Sequence, residues 1–397
     1  MRPVLSLLAL AIALAACRVD GNAATPQPAN APTGPDIADP AVPTATTAPE
    51  SSLEVVTIAE GLEHPWGLAF LPDGRALVTE RPGRLRIVSM DGTLSPPLAG
   101  VPAVFAQGQG GLLDVALDPA FAGNQTIYLS YAEPGDGGAG TAVARARLTP
   151  QGLADATVIF RQAPKLGGDS HFGSRLVFDR AGHLFVTSGD RMEWPNVQRL
   201  DRGQGKVFRI RPDGSVPPDN PFVDRDDALP EVWSYGHRNA QGAALHPATG
   251  ELWAVEHGAR GGDELNLVRA GRNYGWPEIT LGVNYNGRPI GTGRKSLPGM
   301  EQPVHHWTPS IAPSGMAFYT ADRFPAWKGS LFVGALAHQK LVRLTLDGER
   351  VAAEEHLLAE RGDRIRAVAQ GPDGYVYVLT DDDDGELLRV GLRTVNQ

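Results

Sequence analysis

Residues 365–390 read IRAVAQGPDGYVYVLTDDDDGELLRV. An apolar run meets a Gly-Pro-Asp-Gly turn and resumes with Tyr375 and Tyr377 alternating against Val376 and Val378. That period of two is the signature of a strand, not a helix. The tract Asp381–Asp384 then reads as a solvated hairpin turn. The same pattern recurs upstream. It is seen in PWGLAFLPDGRALVTE (65–80), GLLDVALDPAFAGNQTIYLSYAE (111–133) and FGSRLVFDRAGHLFVTSGD (172–190). It returns in QGAALHPATGELWAVEHG (241–258) and SGMAFYTADRFPAWKGSLFVGAL (314–336), making six copies. Turn pairs such as Asp73-Gly74 and Asp373-Gly374 tolerate positive φ. A lone hairpin cannot bury both faces. Radial packing of six copies buries them against neighbours and limits exposed edges. The expectation is an all-β, six-bladed β-propeller over residues 53–397, with blade-connecting loops converging on one end of a central channel.

Composition agrees. Gly 47 and Pro 33 in 397 residues favour many turns. A net charge of −9 offers no basic surplus for a phosphate backbone, so nucleic-acid binding is not expected. There is no Rossmann fingerprint, P-loop or HExxH motif.

The N-terminus carries Arg2, then an apolar run from Val4 to Leu14, then Leu-Ala-Ala-Cys ending at Cys17. The run is short for a membrane span. Small residues before a lone cysteine resemble a bacterial lipobox. Residues 1–16 are read as a lipoprotein signal peptide, with Cys17 as the lipidated residue. Arg18 follows, with no acidic residue to suggest inner-membrane retention, so an outer-membrane anchor with the domain in the periplasm is expected. The lipid would be the chain's sole membrane contact. Residues 17–52 are rich in Pro, Ala and Thr and are read as a disordered tether. Cys17 is the single cysteine, so the domain has no disulfide or catalytic thiol.

Polar residues with chemical potential flank the repeat strands. His171 in GGDSHFGSRL precedes one strand, and Asp190 in TSGDR closes that pair, so a hairpin returns both to one end of the blade. A carboxylate beside an imidazole suits a general base; a turn-bonded histidine is the alternative. Arg238 and Asn239 in SYGHRNAQG suit a carboxylate-bearing ligand or loop carbonyls. EHGARGGDELN (256–266) gathers Glu256, Asp263 and Glu264 among glycines. It reads either as a hard-cation site or as a solvated acidic loop. Arg364 and Arg366 alternate around Ile365, placing both guanidiniums on one strand face, an anion clamp if that face lines the channel and surface charge otherwise.

These motifs resemble the soluble pyrroloquinoline-quinone (PQQ) dependent aldose sugar dehydrogenases of the glucose/sorbosone dehydrogenase family. PWGLAFLPDG, GQGGLLDVALDP, HFGSRLVFD, SYGHRNAQG, EHGARGGDELN, NYGWP, SGMAFY and GDRIRAVAQGPDGYVYVLTD stand in the family's order. The resemblance implies a six-bladed propeller with PQQ at one end of the channel. It implies that His171 takes the sugar hydroxyl proton and Asp190 orients it. Hydride from the anomeric carbon would pass to the quinone, giving a lactone, and an external electron acceptor would reoxidise the cofactor. Gln109, Arg238, Asn239, Tyr285, Arg364, Ile365 and Arg366 would hold PQQ, with backbone contacts from Ala335, Leu336 and Ala337. One Ca²⁺ would sit on the carbonyls of Gly258 and Ala259, and a second would involve Glu264 and Tyr274. Two departures stand out. Ala259 replaces the usual Pro, and Ala337 replaces a Lys beside the cofactor, a charge that Lys340 or Arg343 would have to supply. The competing classes are a calcium-dependent propeller lactonase, which needs a metal held by carboxylates at the channel centre, and a non-catalytic binding propeller.

Overall fold

The computed structural model describes residues 42–49 and 52–393. Cys17, the signal-like stretch and most of the proposed tether lie outside the described residues. The six blades expected from the repeats are present, each an antiparallel sheet apart from one short parallel edge strand on the fifth. Their innermost strands are Pro65–Phe70, Leu112–Leu117, Gly173–Phe178, Ala240–Leu245, Pro313–Phe318 and Ile365–Gln370. Each touches the next, and the last touches the first, so the ring closes.

Closure uses both ends of the domain. Leu53–Leu62 forms the outer edge of the sixth blade, antiparallel to Gly385–Leu392, with Leu53 opposite Leu392 and Val55 opposite Val390. Within the stretch expected to be a tether, Thr46–Thr47 runs parallel to Arg350–Leu357 at the edge of the fifth blade.

Core packing lies between blades, as the alternation requires. Between the fourth and fifth blades, Trp253, Val255 and Trp307 pack against Met316, Phe318 and Leu331. Burying each such side chain contributes about 1.5–3 kcal/mol. Near the axis the strands approach too closely for ordinary side chains. A Cβ on Gly242 would lie 2.0 Å from the Ser314 carbonyl, and one on Gly315 would lie 2.7 Å from Ala367 Cα. Glycine at these repeat positions is therefore a packing requirement.

In the first three blades a hydroxyl bridges neighbouring inner strands. Thr79 accepts from Gly67 N–H and donates to the Leu113 carbonyl. Ser130 accepts from Asp114 N–H and donates to the Ser174 carbonyl, and Thr187 links Arg175 N–H to the Ala240 carbonyl. Every inner strand also shifts register near its first residues, for example between Gly173 and Leu176. Such bulges re-aim side chains. Here the shift falls at the same end of all six inner strands.

Candidate active site

The hairpin from Gly173–Phe178 to Leu184–Ser188 does bring its two ends together. His171 Nδ1 lies 2.6 Å from Asp190 Oδ1, and both residues are buried. Asp190 is itself held. Its Oδ2 accepts from Trp276 Nε1 at 2.8 Å, and its Oδ1 accepts from Met192 N–H at 2.9 Å. The carboxylate fixes the proton on Nδ1. Nε2 is left as the acceptor, with no hydrogen-bond partner among the described residues. His171 N–H donates to Gln109 Oε1 at 2.9 Å, which fixes the backbone as well. That backbone is unusual: His171, Ser174, Arg191 and Met192 take φ of 58°, 80°, 53° and 62°. Left-handed conformations of non-glycine residues cluster where geometry is functionally constrained.

Arg238 and Asn239 sit beside this pair. Arg238 O accepts from Asp190 N–H, and Asn239 Oδ1 accepts from Gly173 N–H at 3.1 Å. The Arg238 guanidinium lies over Trp276 and donates to the carbonyls of His257 and Gly258. His257 donates through Nε2 to the Pro313 carbonyl at 2.9 Å. Burial foremost, then the charges of Arg238, His171 and Arg366, hold its pKa well below the usual histidine value.

Arg364 and Arg366 reach the mouth from the sixth blade. Arg364 Nη1 donates to the Leu336 carbonyl at 3.1 Å, which ties it to the Ala335–Ala337 turn. Arg366 is buried. It donates to Gln241 Oε1 and to Asp381 Oδ2, each at 2.6 Å. Asp381 corrects the expectation of a solvated turn. Asp382, Asp383 and Asp384 are exposed, but Asp381 is only 7% exposed. Although burial opposes ionisation, Arg366, Arg81 and Arg364 hold its pKa far below the usual carboxylate range. Ile365 is wholly buried and gives its carbonyl to Ser314 Oγ. Tyr285 is the site residue not drawn in: it is 71% exposed.

Several donors at this mouth are buried without a partner. They are Nε of Arg81, Arg238 and Arg366, Nη2 of Arg175 and Nδ2 of Asn239. Orphaned buried donors are rare and costly, and these mark a cluster of cationic and amide groups short of acceptors.

The acidic segment divides. Asp263 is a clasp, accepting from Gly258, Ile311 and Ala312 N–H groups and from Ser310 Oγ. Glu256 is not in a solvated loop. It accepts from His237 Nδ1 at 2.9 Å, from Asn266 Nδ2 and from Arg238 N–H. Glu264 lies next to it. Burial first, then the Glu256 charge, pushes Glu264 up to about 8. Both line a cleft with Gly258, Gly262 and Tyr274 whose free space, ≈ 10 Å³, matches about one water-sized centre. A buried and a half-buried carboxylate around such a space favour a cation. The Tyr274 hydroxyl is committed, donating to Leu267 O and accepting from Arg269 N–H. Among the described residues no group of three or more His, Cys, Asp or Glu side chains is arranged to hold a metal ion.

Trp276, His257, Arg81 and the buried role of Asp381 were not singled out from sequence. Trp276 had a usable signal, since a buried indole N–H needs an acceptor.

The family model described as Glucose / Sorbosone dehydrogenase matches residues 62–389. The aldose sugar dehydrogenase YliI of Escherichia coli is 48% identical over 351 residues, covering 87% of this chain and 95% of that protein. A solved glucose dehydrogenase is 56% identical with a TM-score of 0.83, covering 85% of this chain and 99% of that one. The PQQ-bound aldose sugar dehydrogenase of Streptomyces coelicolor is 31% identical with a TM-score of 0.71, covering 87% and 100%.

Proposed function

The chain belongs to the glucose/sorbosone dehydrogenase family of oxidoreductases, and from that premise we propose that it oxidises aldose sugars to lactones with PQQ and Ca²⁺. The observation that carries this reading is the His171–Asp190 pair, with Nε2 free, together with the Arg238, Arg364 and Arg366 guanidiniums. PQQ suits these cations because it bears three carboxylates. Arg238, Asn239, Arg364 and Arg366 would hold it, with Gln109 and the Ala335–Ala337 turn supporting. When bound, the quinone supplies the two-electron acceptor for hydride from the sugar's anomeric carbon. His171 Nε2 takes the proton of the anomeric hydroxyl. Asp190 stabilises the imidazolium that results, and Trp276 keeps Asp190 in place. Carbonyls of Gly258 and Ala259 would carry one Ca²⁺, and Glu264 with Glu256 another. With its phenol committed, Tyr274 would contribute its backbone oxygen.

Domain limits and location are part of the same proposal. Residues 53–397 form the catalytic propeller, residues 17–52 tether it, and lipidated Cys17 holds it in the periplasm at the outer membrane.

The test is reconstitution with PQQ and Ca²⁺, followed by dye reduction with a panel of aldoses. Reduction should require sugar and both additions, and should vanish with a chelator after full metal exchange. Sugar-independent reduction, or none despite bound quinone, would remove the proposed activity.

A further inference from the structure

The ladder that aligns His171 with Asp190 stops short of both. Its last pair at that end is Gly173 opposite Ser188. His171 stands before that pair and Asp190 beyond it, so ladder bonds alone do not fix their 2.6 Å separation.

The second blade supplies a further constraint. Gln162 directly follows its outermost strand, Gly152–Arg161, and Thr141 lies in the neighbouring strand, Gly138–Thr149. Both residues are buried. They are bonded to each other: Gln162 N–H donates to the Thr141 carbonyl at 2.8 Å, and Thr141 N–H donates to Gln162 Oε1 at 3.2 Å. Each then reaches one arm of the third-blade hairpin. Thr141 Oγ1 donates at 2.5 Å to the carbonyl of Phe172, the residue after His171. Gln162 Nε2 donates to Ser188 Oγ at 2.5 Å and, at 3.1 Å, to the carbonyl of Gly189, the residue before Asp190. It also reaches the Gly203 carbonyl at 3.1 Å.

The arms meet closely between these two holds. A Cβ on Gly189 would lie 2.0 Å from the His171 carbonyl oxygen. Each held carbonyl has one other donor: Ser174 Oγ for Phe172 and Gly205 N–H for Gly189, both at 3.1 Å. Loss of either grip therefore loosens one arm without freeing it. Networks of buried, satisfied polar groups hold geometry more firmly than their single bonds suggest.

We infer that Thr141 and Gln162 are positioning residues: together they form a clamp from the second blade that sets the distance between the proposed base and its carboxylate. The consequence for turnover rests on the functional reading above; the consequence for the pair itself does not.

Two readouts test the clamp. One is the downfield proton resonance of His171 Nδ1–H, assigned by its loss in His171→Ala and read without cofactor. The other is aldose-dependent dye reduction by the protein loaded with PQQ and Ca²⁺, beside calorimetric PQQ affinity. Thr141→Val removes the hydroxyl with little change of shape, and Gln162→Met removes the amide. Each should move the resonance upfield and lower kcat about 10- to 100-fold, up to the loss that a misplacement of about 1 Å brings. PQQ affinity should stay within a few-fold of wild type. Thr141→Ser keeps the hydroxyl and should match wild type in all three. Should Gln162→Met fold poorly, the contrast between Thr141→Val and Thr141→Ser carries the test. A resonance unmoved in Thr141→Val overturns the clamp whatever turnover does, and so does a wild-type spectrum that lacks it. A shifted resonance with unchanged kcat overturns its bearing on catalysis. Wild type that shows the resonance and binds PQQ but oxidises no aldose overturns the functional reading, while a shift in Thr141→Val still supports the clamp.

Discussion

Two histidines in neighbouring blades each hold a carboxylate through Nδ1: His171 with Asp190 at 2.6 Å, and His237 with Glu256 at 2.9 Å. They differ at the other nitrogen. His171 Nε2 has no protein partner among the described residues. His237 Nε2 is bonded to Ser234 Oγ at 2.8 Å, and its ring is wholly buried against Tyr274. Serine, histidine and glutamate in hydrogen-bonded series would pass for a hydrolytic triad on distances alone. No substrate can reach them. The lesson is that a histidine–carboxylate distance does not identify a base; an accessible second nitrogen does. Two residues link the pairs: Arg238, whose carbonyl accepts from Asp190 N–H while its N–H donates to Glu256, and Gly205. Gly205 N–H donates to the Gly189 carbonyl and Gly205 O accepts from His237 N–H.

Breaking the open pair should have the largest effect. His171→Ala should lower kcat by about 10²–10⁴ while leaving quinone binding and the melting temperature nearly unchanged. Asp190→Asn should follow the same pattern, more mildly, by releasing the wrong tautomer. Steady-state turnover read beside calorimetry checks this, and retained turnover in His171→Ala would end the proposed role.

Breaking the sealed pair should act on stability instead. His237→Ala removes one of the three partners given above for Glu256 and should cost about 3 kcal/mol in urea unfolding, with kcat per folded molecule kept within a few-fold. A loss of turnover without a loss of stability would mean that the contrast between the two pairs is wrongly drawn.

The smallest effect should come from beneath both pairs. Lys206, next to Gly205, is wholly buried and donates to the carbonyls of Val197 and Gln204. Burial lowers its pKa from 10.5 to about 7. Between those values the unfolded chain holds a proton that the folded protein has released. Its contribution to stability therefore rises as pH climbs from 7 toward 10.5 and is least favourable below 7. Lys206→Met should flatten this dependence by ~2 kcal/mol between pH 7 and 9. Parallel unfolding curves for the two proteins would show that Lys206 does not titrate there.

The repeats made the fold legible because every blade needs the same hairpin and turn. His171 and Asp190 were legible for a related reason: they end one hairpin, so local geometry brings them together. Asp381 was not. It sits in a run of four aspartates that looks like surface, and only its position beside Arg366 and Arg81 of the neighbouring blade turns it inward. Trp276 and Gln241 were obscured in the same way. Their partners, Asp190 and Arg366, lie in other blades, and alignment between blades leaves no periodic trace in the chain.

The closing strand has a consequence for the order of assembly. Leu53–Leu62 is the first long strand of the domain, yet its partner Gly385–Leu392 is the last. The sixth blade cannot form until nearly the whole chain is available. The early blades can assemble locally, but the ring stays open, with one blade edge bare, until both ends meet. Such distant pairing slows folding. For a chain proposed to cross a membrane before it works, that delay is useful. A propeller that cannot latch before its last strand arrives stays short of its full stability until then.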